Sequence, residues 1–393
     1  MKLKISLANI NRRIVLFAIY NVVYALYMAG FLPRIANLIS LGVFSAVCCI
    51  DIIGKKSFKF VHELKIILFP ILIMIIISFV KQVYYADYSI QRMANILYLI
   101  LPAIDAFAII NSYKNEKELE NYIMIMFARM VLLFVIQNYD KITINALQAI
   151  TFSDSESSVF ESSMAHELFF MIIVFKYLQR NKLAILSALL CMLCFKRLSF
   201  LLSIVVLIFY KRIPQNVEVK KWMVIFAKVF FIISPLFILW LISDTGSLWF
   251  SNTFGIDLNV FSTGRMFYIN LVNHRMSYCA GYGATHEFLA NVLRDNYVTS
   301  IHCDVVRIVW ECTVVSLAVY VNNVINLARK HYVTFIIIVY CLIECVVSHF
   351  MEGMTSWLLI YIFIHMVDIQ YRKNRSIGKD GNGRNEKTQT SYA

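Results

Sequence analysis

Long apolar runs follow one another along almost the whole of this 393-residue sequence. A helix that crosses a bilayer needs about 20 apolar residues, and shorter runs are tolerated where neighbouring helices shield them. Hydrophobic residues make up 60% of the chain, whereas a soluble domain has about 45–50% by a comparable count. We therefore predict an all-α polytopic membrane protein of about twelve transmembrane helices, at residues 14–32, 35–53, 66–80, 93–110, 122–139, 165–179, 183–195, 198–210, 223–242, 305–327, 332–350 and 354–369.

The placement of lysine and arginine indicates how these helices are oriented, because cytoplasmic loops retain positive charge. With both termini in the cytoplasm, 25 of the 37 basic residues fall in inner segments and nine in outer segments. The net charge of +13 is thus explained by membrane topology. We expect the lipid bilayer as a partner and no nucleic acid.

The longest segment that cannot lie in lipid is residues 243–304, between the ninth and tenth predicted spans. On the orientation above it forms one large extracytoplasmic loop. A second outer loop, residues 140–164, is polar and acidic, as expected of a solvated loop. Residues 1–371 would form a single membrane domain, and residues 372–393 a basic cytoplasmic tail that is predicted to be disordered.

Two groups of cations stand out on the predicted outer side. Lys196 and Arg197 are adjacent between two short apolar runs, against the general charge bias. Charges at membrane depth are costly, so this pair either reaches lipid phosphates at the surface or binds an anionic ligand. In the large loop Arg265 follows Gly264, which permits close backbone approach, and its guanidinium suits a phosphate. Arg275 lies in the same loop, but in a helix it would not share a face closely with Arg265.

The end of the loop carries the strongest group of ionisable residues: His302, Asp304, Arg307 and Glu311. Positions 304, 307 and 311 fall on one face of a helix. Ionisable groups that descend into an apolar segment need a polar neighbour or a water-filled cleft. We predict that His302 is a general base oriented by Asp304 or Glu311, with a structural histidine at a helix end as the alternative. The sequence contains no metal-ligand trio at familiar spacing, so we expect neither a metal nor a cofactor.

Two pairings follow from similar reasoning. Arg129 lies in the middle of a predicted span and needs a partner, for which Glu344 is the candidate. Cys279 and Cys303 both fall in the predicted outer loop, where an oxidising compartment would permit a disulfide.

The order of these features resembles the Wzy-type oligosaccharide repeat-unit polymerases of bacterial envelopes and, more distantly, the O-antigen ligases. The resemblance covers the whole topology: many spans, a basic pair late in the middle, and one large outer loop before the last three spans. It implies a multi-pass protein of the bacterial inner membrane. Its motifs are Lys196-Arg197, Ser262-Thr263-Gly264-Arg265, Gly281-Tyr282-Gly283 and His302-x-Asp304-x-x-Arg307-x-x-x-Glu311.

The resemblance also implies a glycosyl transfer on the outer leaflet. A growing glycan on undecaprenyl pyrophosphate would be moved onto an incoming lipid-linked repeat unit, to give O-antigen or capsular polysaccharide, and a chain-length regulator protein is an expected partner. His302 would take the proton of the acceptor hydroxyl, and Tyr282 would hold a sugar. The leaving pyrophosphate would be stabilised by cations, drawn from Arg265, Arg197, Lys196, Arg307 and Arg275.

Three other functions stay open from the sequence. A lipid-linked oligosaccharide flippase or other transporter would have similar spans, but its polar residues should lie near mid-membrane between short loops. An O-antigen ligase would use similar chemistry with a different acceptor. A membrane-bound O-acyltransferase would carry its histidine in a more buried segment.

Overall fold

The structure is a computed structural model that describes residues 12–141, 143, 145, 159–214, 217–293 and 301–389. Regular secondary structure within these residues is entirely helical, which confirms the all-α prediction. The first part of the chain contains α1 (Arg12–Met28), α2 (Arg34–Ile50), α3 (Val61–Tyr85), α4 (Ile90–Ser112), α5 (Glu116–Asn138), α6 (Met164–Tyr177), α7 (Asn181–Leu193), α8 (Arg197–Phe209) and a 3-10 turn (Tyr210–Arg212).

The second part begins with a long apolar helix and ends with the longest helix of the chain. It contains α9 (Lys221–Leu241), α10 (Asp244–Phe254), α11 (Leu258–Phe261), α12 (Arg265–Arg275), α13 (Ala284–Leu293), α14 (Asp304–Glu311), α15 (Val314–Ala328), α16 (Tyr332–Val347) and α17 (Met354–Gln389).

Most of the predicted apolar runs coincide with one helix each, but the tenth, residues 305–327, is two helices, α14 and α15. The break falls at Thr313, whose φ of +115° lies outside the range that a helix requires. The N–H of Thr313 donates to the carbonyl of Ile308 at 3.0 Å and so closes the end of α14. The ionisable face of α14 is therefore a short helix of its own.

Among the described residues, four helices are long and apolar enough to cross a membrane: α3, α4 from Asn95 onward, α5 and α9. The α9 helix exposes Phe226, Phe230 and Phe237 along one stripe, as expected of a surface that meets lipid. These helices indicate a membrane-associated protein. The number of crossings and their orientation stay predictions.

The predicted outer loop and the predicted tail both contain helices. Residues 243–293 fold into α10 to α13, and Ser243 and Asp257 cap the N-termini of α10 and α11 through their side chains. The α17 helix extends to Gln389, and extending an existing helix adds one hydrogen bond per residue. Disorder of the tail stays a prediction. Most of the acidic loop at 140–164 lies outside the described residues.

Two deeply packed helices position the candidate site. The α6 helix buries Phe169, Phe170 and Phe175 and packs against α7 and α8. The α14 helix packs against α9, α15 and α16. The start of α8 and the start of α14 thus face a common space beside α9 and the end of α16.

Candidate functional site

A cavity of about 870 Å³ fills this space. It is bounded by the start of α8, one face of α9, the loop helices α10 to α12, the segment before α14 and the end of α16. Its apolar wall includes Phe226, Phe230 and Phe237, which also form the exposed stripe of α9. The cavity is therefore continuous with the apolar outer surface of this helix.

Three of the predicted cations line the cavity together. Lys196 forms an ion pair with Glu161. Arg265 donates to the backbone carbonyl of Val347 and has no carboxylate partner within the described residues. The Nε atom of Arg197 is buried without a hydrogen-bond partner in that part of the chain. Arg197 as a whole is half-buried and, like Arg265, has no carboxylate partner within the described residues. Two guanidinium groups at one cavity without such a partner favour an anionic ligand.

His302 lines the same cavity, on the segment that leads into α14. Burial and then the positive charge of Arg265 lower its pKa to about 4, so the ring is neutral at neutral pH. Contrary to the prediction, neither Asp304 nor Glu311 orients it, because both carboxylates bond to other groups. A neutral imidazole can accept a proton. Within the described residues, however, no hydrogen bond fixes which of the two ring nitrogens of His302 carries the proton and which accepts one.

Asp304 instead anchors the connection between α16 and α17. Its carboxylate accepts hydrogen bonds from the backbone N–H groups of Phe350 and Met351, each at 2.6 Å. Its other oxygen lies 2.8 Å from Nδ1 of His349, and Nε2 of His349 lies 3.4 Å from Glu352. Burial opposes ionisation of Asp304, but His349 and then the other partners outweigh it and lower the pKa of this carboxyl.

Arg307 connects the carboxylates of this region. Its side chain is 1% exposed and lies 3.2 Å from Asp304, 3.0 Å from Glu352 and 4.0 Å from Glu311. The three α14 residues therefore do share a face, but that face is packed inside the protein. We call Asp304, Arg307, Glu311, His349 and Glu352 the buried charge cluster.

Tyr282 belongs to this cluster and not to the cavity. Its side chain is 0% exposed. Its hydroxyl donates a hydrogen bond to Glu352 at 2.6 Å and accepts one from Arg307 at 2.9 Å. The turn that carries it docks on α3, where its backbone N–H donates to Ser78 Oγ at 3.0 Å. Gly281 is required at this contact, because its φ is +103° and a Cβ would lie 2.9 Å from the Ser78 backbone.

A second polar group faces the cavity, and sequence reasoning assigned it no function. His166 and Glu344 both line the cavity, and Nδ1 of His166 lies 3.2 Å from Glu344 Oε1. The same nitrogen lies 2.8 Å from the hydroxyl of Tyr340, which bonds to Ser199 at 2.7 Å. The available sequence signal was that both His166 and Glu344 are ionisable residues within apolar runs.

The other predicted site residues and pairs have different positions. Arg129 forms an ion pair with Glu167 and not with Glu344, since α5 packs against α6. Arg275 is exposed at the end of α12 and does not line the cavity. Cys279 and Cys303 do not form the expected disulfide, and all nine cysteines are free. Within the described residues no group of three or more His, Cys, Asp or Glu side chains is arranged to hold a metal.

No protein-family model, curated protein or solved structure matches this chain. Its function is therefore inferred from the chemistry of the cavity and from the sequence features above.

Proposed function

We propose that this protein polymerises undecaprenyl-pyrophosphate-linked oligosaccharide repeat units on the outer face of the bacterial inner membrane. The product is O-antigen or capsular polysaccharide, and the reaction is a glycosyl transfer that needs no metal and no cofactor. In this proposal the chain crosses the membrane about twelve times, with both termini in the cytoplasm.

The observation that carries the proposal is that Arg197 and Arg265, neither with a carboxylate partner within the described residues, line one cavity with an apolar wall. A polyprenyl pyrophosphate is an anion attached to a long hydrocarbon chain. The wall formed by α9 suits the hydrocarbon chain, because it continues onto the exposed apolar surface of that helix. Arg197 and Arg265 suit the pyrophosphate, because guanidinium groups donate hydrogen bonds in a planar fork that matches phosphate oxygens.

Each cation then has a separate task in the transfer. Arg197 and Arg265 stabilise the negative charge that builds up on the pyrophosphate as it leaves the sugar. Lys196 adds a positive charge, and its ion pair with Glu161 keeps that carboxylate away from the pyrophosphate. The buried charge cluster positions the segment before α14 and the end of α16, which both line the cavity. In this assignment Arg307 and Tyr282 support the site without touching the substrate.

The proposal is tested by binding and by glycan analysis together. Purified protein in lipid nanodiscs should bind undecaprenyl pyrophosphate, and Arg197→Ala should weaken binding by about tenfold or more, equivalent to ~1.4 kcal/mol. Arg212→Ala is the matched control, because Arg212 is exposed in the 3-10 turn that follows α8, with its guanidinium over the Phe209 ring, and does not line the cavity. A bacterium lacking the protein should make a single capped repeat unit in place of the glycan ladder.

Other outcomes identify the alternative functions. Accumulation of lipid-linked polymer in the deletion strain would indicate a ligase, and absence of any surface sugar would indicate a flippase. Equal binding by wild type and Arg197→Ala would remove the basis for the anion site.

A further inference from the structure

We propose that His166 is the proton acceptor of the cavity and that Glu344 is the residue that positions its ring. This inference rests on the glycosyl transfer proposed above and assigns a residue to one of its steps. Two histidines line the cavity, His166 and His302, and their surroundings differ in the feature that decides which one is prepared to accept a proton.

Within the described residues the side-chain contacts of His166 fall on one ring nitrogen. Nδ1 is within hydrogen-bond distance of the Tyr340 hydroxyl at 2.8 Å and of Ser199 Oγ at 3.3 Å, and it lies at an ion-pair distance of 3.2 Å from Glu344 Oε1. Glu344 is 2% exposed, and an ionised carboxylate can only accept hydrogen bonds. The proposal accordingly places a proton on Nδ1, facing Glu344, and leaves the lone pair of the ring on Nε2.

Nε2 of His166 is the nitrogen that a substrate can reach. It makes no hydrogen bond within the described residues, and it is not one of the buried polar atoms there that lack a partner. Because His166 lines the cavity, the proposal has Nε2 open into it. A histidine with a carboxylate behind Nδ1 and a free Nε2 is the arrangement used by general bases in hydrolases and transferases.

His302 lacks this arrangement. It has no carboxylate hydrogen-bond partner in the described part of the chain, and the positive charges of Arg265, His349 and Lys196 around it outweigh the negative charge of Asp304. Positive neighbours disfavour the imidazolium that forms when a ring accepts a proton. At His166, by contrast, the carboxylate of Glu344 would stabilise the imidazolium.

The proposed step balances without any further reactant. Nε2 of His166 takes the proton of the acceptor sugar hydroxyl as its oxygen bonds to the anomeric carbon of the donor glycan. The bond between that carbon and the pyrophosphate oxygen breaks, and the electron pair leaves with the pyrophosphate beside Arg197 and Arg265. The proton on His166 is released to water when the products leave.

The deciding variant is His166→Asn. The asparagine side chain has a polar atom near the position of Nδ1, which keeps a partner for Tyr340 and Glu344, but it has no counterpart of Nε2. We expect the rate of glycan chain elongation in membrane vesicles to fall about 100-fold or more, as for loss of a general base. Binding of undecaprenyl pyrophosphate to the purified variant should change by less than about twofold, since Arg197 and Arg265 are intact.

His274→Asn is the matched control, because it makes the same substitution at an exposed histidine of α12 that does not line the cavity. We expect it to retain elongation within about threefold of wild type, less than the smallest effect typical of losing a general base. Elongation by His166→Asn at the wild-type rate, or an equal loss in both variants, would overturn the assignment.

Glu344 is tested as a positioning residue. Glu344→Gln keeps the shape of the side chain but removes the charge, so it should lower the maximum elongation rate while leaving the half-saturating substrate concentration unchanged. Glu344→Asp restores the carboxylate and should recover most of the rate. A purely structural role would give no such recovery, and that result would contradict the positioning role.

Failure of this inference can be told apart from failure of the proposed function. If deletion of the protein removes the glycan ladder and His166→Asn restores it, only the assignment of His166 is wrong. If wild-type protein neither binds undecaprenyl pyrophosphate nor supports the ladder, the glycosyl transfer itself is wrong.

Discussion

Nδ1 of His349 lies 2.8 Å from a carboxylate oxygen of Asp304, although 45 residues separate the two in sequence. The contact joins the start of α14 to the connection between α16 and α17. Two backbone N–H groups of that connection bond to the same carboxylate. The wall of the cavity at the end of α16 is therefore held in place by a charge pair, and its stability should depend on pH.

The first prediction is a loss of stability at alkaline pH. Burial opposes protonation of His349, but the Asp304 carboxylate outweighs it and raises the pKa to about 9. Arg307 opposes and Glu352 favours the charged ring, and His286 adds a further titratable group nearby. The stabilisation of the fold by protonated His349 is complete below about pH 6.5, the ordinary pKa of histidine. It disappears as the pH rises through about 9. The unfolding free energy in mixed micelles should therefore fall between these pH values.

His349→Gln is the control for this prediction. The variant lacks the titrating group, so the difference in unfolding free energy between wild type and variant should shrink as the pH rises. A difference that stays constant from pH 6 to 10 would show that protonation of His349 does not stabilise the fold.

The second prediction concerns the buried charge cluster. Arg307→Met removes the cation that lies between Asp304 and Glu352, leaves His349 as their remaining cationic partner, and leaves Glu311 buried without a counter-charge. The expected loss of unfolding free energy is about 3–5 kcal/mol, measured by unfolding in mixed micelles. Arg372→Met makes the same change in an exposed pair with Asp368 and should cost no more than about 1 kcal/mol. Similar losses in the two variants would contradict the structural role of Arg307.

The sequence predicts the helices and the shared helical face of Asp304, Arg307 and Glu311, but not the residues that contact this face. Apolar runs predict helices because the bilayer and the core both require internally bonded backbone. The spacing of Asp304, Arg307 and Glu311 predicts a shared face because helical periodicity is fixed. The contacts of Arg307 with Tyr282 and Glu352 depend on how a distant turn and the connection between α16 and α17 pack against α14, which no local pattern encodes.

The two histidines of the cavity also show that neighbours in the sequence do not predict neighbours in the structure. His302 stands beside acidic residues in the sequence, yet those residues bond elsewhere in the structure. His166 and Glu344 are far apart in the sequence and are brought together where α6 approaches α16. The break at Thr313 was also missed, because the apolar run continues through it and only the backbone dihedral reveals the end of α14.

The third prediction concerns the turn that carries Tyr282. Gly281→Ala forces a side chain into a φ of +103° and brings its Cβ to 2.9 Å from the Ser78 backbone. Gly255→Ala is the control, because Gly255 also has positive φ but a Cβ there meets open space. Both variants bear the conformational cost of about 1 kcal/mol, and only Gly281→Ala adds the steric clash. We expect Gly281→Ala to have the lower unfolding temperature, and equal temperatures would mean that the turn can move away from α3.

The fourth prediction concerns the phosphate contact of Arg265. Arg265→Lys replaces a planar fork of donors by a point charge. Binding of undecaprenyl pyrophosphate should weaken by about tenfold, or ~1.4 kcal/mol, while Arg212→Lys in the 3-10 turn that follows α8 should bind like wild type. If the two variants bind equally well, Arg265 makes no bidentate contact with the pyrophosphate.

The fifth prediction concerns the side of the membrane on which the cavity opens. The cationic helix α12 should face the cell exterior, because the excess of lysine and arginine lies in the segments assigned to the cytoplasm. In a Cys279→Ser background, Asn273→Cys on the exposed side of α12 should react with a membrane-impermeant maleimide in intact spheroplasts. Glu218→Cys, exposed just before α9, should react only after the membrane is permeabilised. The reverse labelling pattern would place Arg265 and His302 in the cytoplasm, where a transfer on the outer leaflet is impossible.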